Sequence, residues 1–230
     1  MPGRTIAIGD VHGFDQPLET LIDRLDLGAD DFVVQLGDIC DRGPNTRRCI
    51  DLLRELSEHC RVAIVLGNHD EMMLTACGRI DGHGGDYWHE VGGAETISSY
   101  GSSTKDVSPA HLDYLMQARP YVETDSHLFV HANWEFDIPG ASQPAVMLRW
   151  QKIDGAEPAL PDGRRIVCGH TAQKSKRPLM WPGWVCIDTR VYAEDGRLTA
   201  LDVDSDLVYQ VGTKGRVFDP VPLDEIALEP

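Results

Sequence analysis

Thr5-Ile6-Ala7-Ile8-Gly9-Asp10-Val11-His12-Gly13 sets the pattern from which the fold of this 230-residue chain is read. A short strand-prone run stops at a glycine, and side chains able to hold a cation or a phosphate follow at once. The same plan recurs at Phe32-Val33-Val34-Gln35-Leu36-Gly37-Asp38 and at Arg61-Val62-Ala63-Ile64-Val65-Leu66-Gly67-Asn68. Between these runs, Pro17 to Leu27 and Asn45 to Glu58 carry Leu and Ile at helical spacing, with Pro17 and Pro44 near the expected starts. The alternation predicts a βαβαβ unit whose parallel strands are buried between layers, with function at their carboxyl ends.

Further along, Glu71 to about Arg119 has no strong strand pattern and is rich in glycine, so helices and loops are expected there, either placed to shape a substrate entrance or forming an irregular surface excursion. After Pro120 the chain turns β-rich, at 121–124, 126–130, 165–168, 184–187 and 198–203. Turns such as Asp125-Ser126 and Asp195-Gly196 separate the runs as in hairpins or meanders, which predicts a second sheet. The tail from Phe218 to Pro230 has three prolines and no period, and is expected to wrap the surface or hang loose. With no repeat and no linker, residues 1–230 read as a single domain.

Composition narrows the classes. The 37 acidic against 21 basic residues give a formal charge of -16, which disfavours broad, sequence-independent binding to a nucleic-acid backbone, and no nucleic-acid partner is expected. The start of the sequence lacks a signal-peptide core, and no apolar run approaches the ~18 residues of a membrane span, so no membrane partner and a cytoplasmic location are expected. The six cysteines are scattered without a C-x-x-C pair and read as reduced thiols acting as small hydrophobes.

Chemistry-bearing residues collect at the strand exits: Asp10 and His12; Asp38, Asp41 and Arg42; Asn68 and His69; His131; His170. At spacing i, i+2 in extended backbone, Asp10 and His12 would project to one side and could grip one ion. Arg42 offers a planar guanidinium suited to a phosphate. Mixed Asp, Asn and His donors without thiolate suit Mn, Fe or Zn, and they outnumber the needs of one ion, so two are expected.

These blocks, in this order from Gly9 to about Asp188, resemble the calcineurin-like metallophosphoesterases, and Asp41-Arg42-Gly43 with Gly67-Asn68-His69 resembles their bacterial serine/threonine phosphoprotein phosphatase branch. The resemblance implies an α/β fold, a four-layer α-β-β-α sandwich of two mixed sheets flanked by helices. It also implies two divalent transition-metal ions, Mn first with Fe and Zn open. One ion would be held by Asp10, His12 and Asp38, the other by Asp38, Asn68, His131 and His170. His69, oriented by Asp41, would protonate the leaving group after attack by a hydroxide shared by the ions. Arg42 and Arg149 would clamp the phosphate. Three positions depart from the family pattern: Asp70 where protein phosphatases usually have Glu, Asn133 where Gly is usual, and Arg190 where relatives continue with Gly. The expected activity is a phosphomonoesterase acting on phosphoserine or phosphothreonine in proteins and on small aryl phosphates. The alternatives are a diadenosine tetraphosphate hydrolase, against which the retained Asp41 leans, and a non-catalytic phospho-ligand binding module.

Overall fold

The structure, a computed structural model, describes residues 3–230. In chain order its elements are β1 (Thr5–Ile8), α1 (Asp15–Leu25), β2 (Phe32–Gln35), α2 (Thr46–His59), β3 (Arg61–Ile64), α3 (Asn68–Ala76), α4 (Gly93–Tyr100), α5 (Pro109–Leu115), β4 (Tyr121–Glu123) and β5 (His127–Val130). There follow α6 (Ala145–Arg149), β6 (Arg165–Cys168), β7 (Leu179–Trp181), β8 (Trp184–Cys186), β9 (Arg197–Asp202), β10 (Leu207–Gly212), β11 (Val221–Pro222) and α7 (Leu223–Ile226).

Two mixed sheets form, ordered β11-β10-β9-β1-β2-β3 and β4-β5-β6-β8-β7. Strands β1, β2 and β3 are parallel, as the βαβαβ reading requires, and so are β5, β6 and β8. The period-2 alternation of each strand decides which layer each side chain enters. Ile6 and Ile8 face the helices, where they meet Leu18 and Leu21 of α1 and Ile50 and Leu53 of α2. Ala7 and Val34 face inward, against Phe129, Val167 and Val185 of the other sheet. Leu128, Ile166 and Trp184 cover that sheet's far side together with Trp134 and Leu148. Burying one such aliphatic or aromatic side chain is worth about 1.5–3 kcal/mol. The sandwich of two mixed sheets flanked by helices is therefore present, although the layer over the second sheet contains only the five-residue α6 and irregular chain.

Several boundaries differ from the reading of the sequence. Helix α1 starts at Asp15, which leaves Pro17 in the first turn, where its missing N–H breaks no helical bond. Helix α2 is capped by Asn45, whose side chain accepts from the Arg48 backbone at 3.2 Å. Asp125-Ser126 does connect an antiparallel pair, β4 and β5, but Asp195-Gly196 does not connect a hairpin. The chain passes there from the second sheet back to the first, where β9 pairs antiparallel with β1. The 198–203 run thus belongs to the first sheet. β10 joins it, a strand that the reading did not separate out. The tail is tied to both sheets: β11 pairs with β10, Leu228 bridges Leu179, and Leu223 is buried. Among the described residues no helix is long and apolar enough to cross a membrane. Five of the six cysteines are buried and all six are free.

His127, at the start of β5, is 7% exposed. Burial and the neighbouring Arg165 charge push its imidazole down to about 4, against Asp204 and Asp206, which act the other way. Folded His127 therefore binds its proton less tightly than the unfolded chain, so its contribution to stability is intact above about pH 6.5 and is lost as pH falls through 4. His127→Gln should flatten the fall in melting temperature between pH 6.5 and 4 relative to the unchanged protein; parallel curves would show that His127 does not titrate with unfolding.

Candidate active site

The residues singled out in the sequence, Arg149 excepted, gather at one edge of the sandwich, where β1, β2, β3, β5 and β6 all end. Close approach there depends on missing side chains. A Cβ on Gly67 would lie 2.3 Å from Asp38 Oδ1, and one on Gly169 would lie 2.1 Å from Asp10 Oδ1. The turns are also conformationally demanding. His12, Asp38, Asp41, Arg42, His170 and Arg190 all have φ between 48° and 76°, the left-handed region in which a side chain costs about 1–2 kcal/mol per residue. His12 is thus not in extended backbone, and the i, i+2 argument for its pairing with Asp10 is replaced by turn geometry.

Asp38 is central. Its Oδ1 accepts the His69 backbone N–H at 2.9 Å and lies 3.4 Å from His131 Nε2, while its Oδ2 lies 3.6 Å from His12 Nε2. Which ring nitrogens carry protons follows from the carbonyls around the site. His12 donates its Nδ1–H to the Cys40 carbonyl at 3.1 Å, and His131 donates its Nδ1–H to that of Leu36 at 2.7 Å. His170 donates its Nε2–H to the Trp150 carbonyl at 3.1 Å. Burial pushes all three imidazoles down, His170 to about 4, so each keeps a single ring proton. The remaining nitrogens therefore present lone pairs inward. His131 Nε2 and His170 Nδ1 lie 3.1 and 3.0 Å from Asn68 Oδ1, itself an acceptor. Acceptors facing acceptors around a carboxylate fit a cation, and the carbonyl contacts are the outer partners that metal-bound histidines usually have. The donor set therefore fits divalent metal ions.

Asp10 lies beside this cluster. Its carboxylate accepts the His170 backbone N–H at 3.1 Å and is pushed well up by burial, then by Asp188 and Asp38. Asp188, at the exit of β8, is pushed up to about 6, mainly by burial. Asp188 is a buried acid of the site that the sequence reading passed over. Its signal was present, since Ile187-Asp188 repeats the strand-then-acid plan.

His69 forms a separate unit. Its Nδ1–H donates to Asp41 Oδ2 at 2.7 Å. Burial works against its charge, but Asp38 and the Asp41 hydrogen bond outweigh that and raise its pKa above the usual value. Asp41 is fully buried and receives the Trp88 indole N–H at 2.9 Å and the Thr96 hydroxyl at 2.8 Å. Both donors come from the 71–119 segment, which here supports Asp41 from behind. None of its residues lines the cleft of about 270 Å³ bordered by Asp38, Asn68, His69 and His170.

Arg42 donates to the lone pairs of His12 Nε2 and of His69 Nε2, the latter at 2.8 Å, and stacks over Tyr192 at 4.3 Å. Arg149 lies near enough for its charge to bear on His131, but its guanidinium is taken up by another partner. It makes a two-pronged ion pair with Glu71 at 2.9 and 3.0 Å and does not line the cleft, which holds Arg190, Lys152 and Lys174 instead. Asp70, the departure from Glu, accepts backbone N–H groups of Asp38, Ile39 and Gly67 at 2.7, 3.0 and 3.2 Å, so it joins the turns after β2 and β3. Gln35 does likewise for Gly37, accepting its N–H and donating to its carbonyl.

Residues 3–174 match the family model of the calcineurin-like phosphoesterases. A symmetrical bis(5'-nucleosyl)-tetraphosphatase of Janthinobacterium sp. (strain Marseille) is 32% identical over 56% of this chain and 43% of that protein. Serine/threonine-protein phosphatase 1 of Salmonella typhimurium is 26% identical over 63% of this chain and 62% of that protein. The chain thus spans less than two thirds of the length of either relative. A crystal structure provisionally assigned as a diadenosine tetraphosphatase superposes with a TM-score of 0.70, at 21% identity, over 94% of this chain and 96% of that one.

Trp88→Phe keeps most of the apolar bulk and removes one N–H from a buried carboxylate. It should lower stability by about 1.5–3 kcal/mol, seen as an earlier urea midpoint at unchanged slope. No shift in the midpoint would show that Thr96 and His69 suffice for Asp41.

Proposed function

This chain belongs to the calcineurin-like phosphoesterase family, and from that premise we propose that it is a dinuclear-metal phosphomonoesterase, folded as one domain, that hydrolyses phosphoserine, phosphothreonine and small aryl phosphates. The family is dinuclear-metal dependent. Two divalent cations, Mn, Fe or Zn, would be held by Asp10, His12 and Asp38 and by Asp38, Asn68, His131 and His170, and would supply the Lewis acidity that lowers the pKa of a water and polarises the phosphoryl oxygens.

The chain's own residues do the rest. Arg42 holds the phosphoryl oxygens as charge redistributes, with Tyr192 as the surface over which its guanidinium is carried. His69 lies within reach of His12 and Asp38 and could be taken for a further ligand. Its Nδ1–H is committed to Asp41, which leaves Nε2 as the atom that would carry the proton and give it up once Arg42, which donates to that nitrogen at 2.8 Å, turns to the phosphate.

The observation that carries the reading is this His69–Asp41 pair. A serine or threonine alkoxide is a poor leaving group and needs a proton at the moment of cleavage; a nucleotide phosphate leaves as a stable anion and does not. A buried acid whose partner carboxylate is itself fixed by Trp88 and Thr96 supports the first kind of substrate. The second reading, hydrolysis of a dinucleoside polyphosphate, is favoured by the Janthinobacterium relative. Phosphate-ligand binding without turnover is the third outcome of the test below.

The reading is tested by stripping metal, adding back manganese, and measuring hydrolysis of a phosphothreonine peptide, an aryl phosphate and diadenosine tetraphosphate, beside His69→Asn. The variant should lose about 10²–10⁴-fold in kcat on the peptide. It should lose far less on the aryl phosphate, whose leaving group needs no proton. Cleavage of the dinucleotide alone would move the chain to the second reading, and no turnover with any metal to the third.

A further inference from the structure

Arg190 stands at an uncommon combination of features. It occupies left-handed backbone at φ 60°, lines the cleft, and has a buried Nε with no hydrogen-bond partner among the described residues. Its backbone N–H donates to Asp188 Oδ1 at 2.9 Å, which ties the residue to the site. Its guanidinium lies 5.6 Å from the centre of the Tyr192 ring, the ring that also carries Arg42 at 4.3 Å.

Two guanidinium groups against one ring repel each other unless something negative lies between or above them. Nine of the chain's 21 basic residues are ion-paired with a carboxylate, Arg149 and Arg165 among them, and none of the nine borders this cleft. The basic residues that do border it, Arg42, Arg190, Lys152 and Lys174, all belong to the twelve without a carboxylate partner among the described residues. Cations kept free of carboxylates, one of them in strained backbone with a desolvated donor, make a site for an anion.

We propose that Arg190, assisted by Lys152 and Lys174, forms a second anion subsite that takes a phosphate group of the substrate other than the one being cleaved. The preferred substrate class is then a phosphate ester carrying a further phosphate close by, which the scissile-phosphate residues alone would not select. The proposal rests on the phosphoesterase reading for the identity of the first phosphate, and not for the existence of the subsite.

The test uses the manganese-loaded protein and inorganic tripolyphosphate and orthophosphate as probes, each as a competitor of aryl phosphate hydrolysis and each titrated calorimetrically. Tripolyphosphate should bind more tightly than orthophosphate. Arg190→Gly and Arg190→Ala should cut that preference by about 10-fold, the order of one lost charge-assisted contact. Glycine suits a φ of 60°, so Arg190→Gly should melt no lower than the unchanged protein. Lys214→Ala, the same loss of charge at an exposed residue outside the cleft, should leave the preference as it is. An unchanged preference in the Arg190 variants, an equal loss in Lys214→Ala, or a lower melting temperature alone would overturn the subsite. If the aryl phosphate is not hydrolysed at all, the function above fails, while the calorimetric preference still decides the subsite. Comparing a doubly phosphorylated peptide with a nucleoside bisphosphate then tells which source of second phosphate it accepts.

Discussion

The architecture turns on one buried carboxylate that has more acceptors around it than donors. Asp38 sits between His12, His131 and Asn68, whose ring or amide lone pairs face inward because backbone carbonyls hold the opposite ring protons. Such a cluster is costly in a dry interior without a cation. The surrounding structure bears that cost. Glycines let the turns approach within reach, Asp70 and Gln35 satisfy the amides that the turns leave free, and six residues accept left-handed backbone. Strain concentrated at strand exits is what a pre-built ion site requires, since the ligands cannot be left to find their places after the ion arrives.

Much of this was legible from residue order. The repeated plan of strand, glycine and polar ligand placed Asp10, His12, Asp38, Asn68 and His69 at one edge because parallel strands end on the same side. His131 and His170 followed from the same rule in the second sheet. What periodicity could not reveal were the partners. Trp88 and Thr96 lie 47 and 55 residues from Asp41, and nothing local in a glycine-rich stretch marks an indole N–H as the support of a carboxylate. Arg149 illustrates the reverse. Arginine type and position suggested a phosphate clamp, yet Glu71, 78 residues away, takes up its guanidinium. The 198–203 run has a strand's sequence, but sequence alone does not say which sheet it completes, and its antiparallel pairing with β1 is a tertiary choice.

The relatives divide between two leaving-group chemistries, and the site contains a feature suited to each. On the readings proposed above, the His69–Asp41 pair would serve a leaving group that needs a proton, whereas Arg190 and the neighbouring cations of the cleft would serve a substrate with more negative charge than one phosphate. These features would not conflict, because they would act on different parts of a bound molecule: one on the oxygen that departs, the other on a group that stays intact. A fold shared at 21% identity or less cannot decide between substrates, so the weight falls on side chains such as Arg190 that belong to this chain.

Asp10 meets His170 across 160 residues of sequence, and Asn68 meets the same histidine across 102. The first ligand set lies within residues 10–42, but the second is drawn from Asp38, Asn68, His131 and His170, far apart in the chain. Such contacts form late, after both sheets have docked, because the entropy of closing long loops must be offset by other contacts first. Folding order therefore becomes a form of quality control. A nascent, nicked or partly unfolded copy would lack the place where His131 and His170 meet Asp38 and Asn68. On the function proposed above, hydrolysis of phosphate esters would then be confined to molecules that have finished folding.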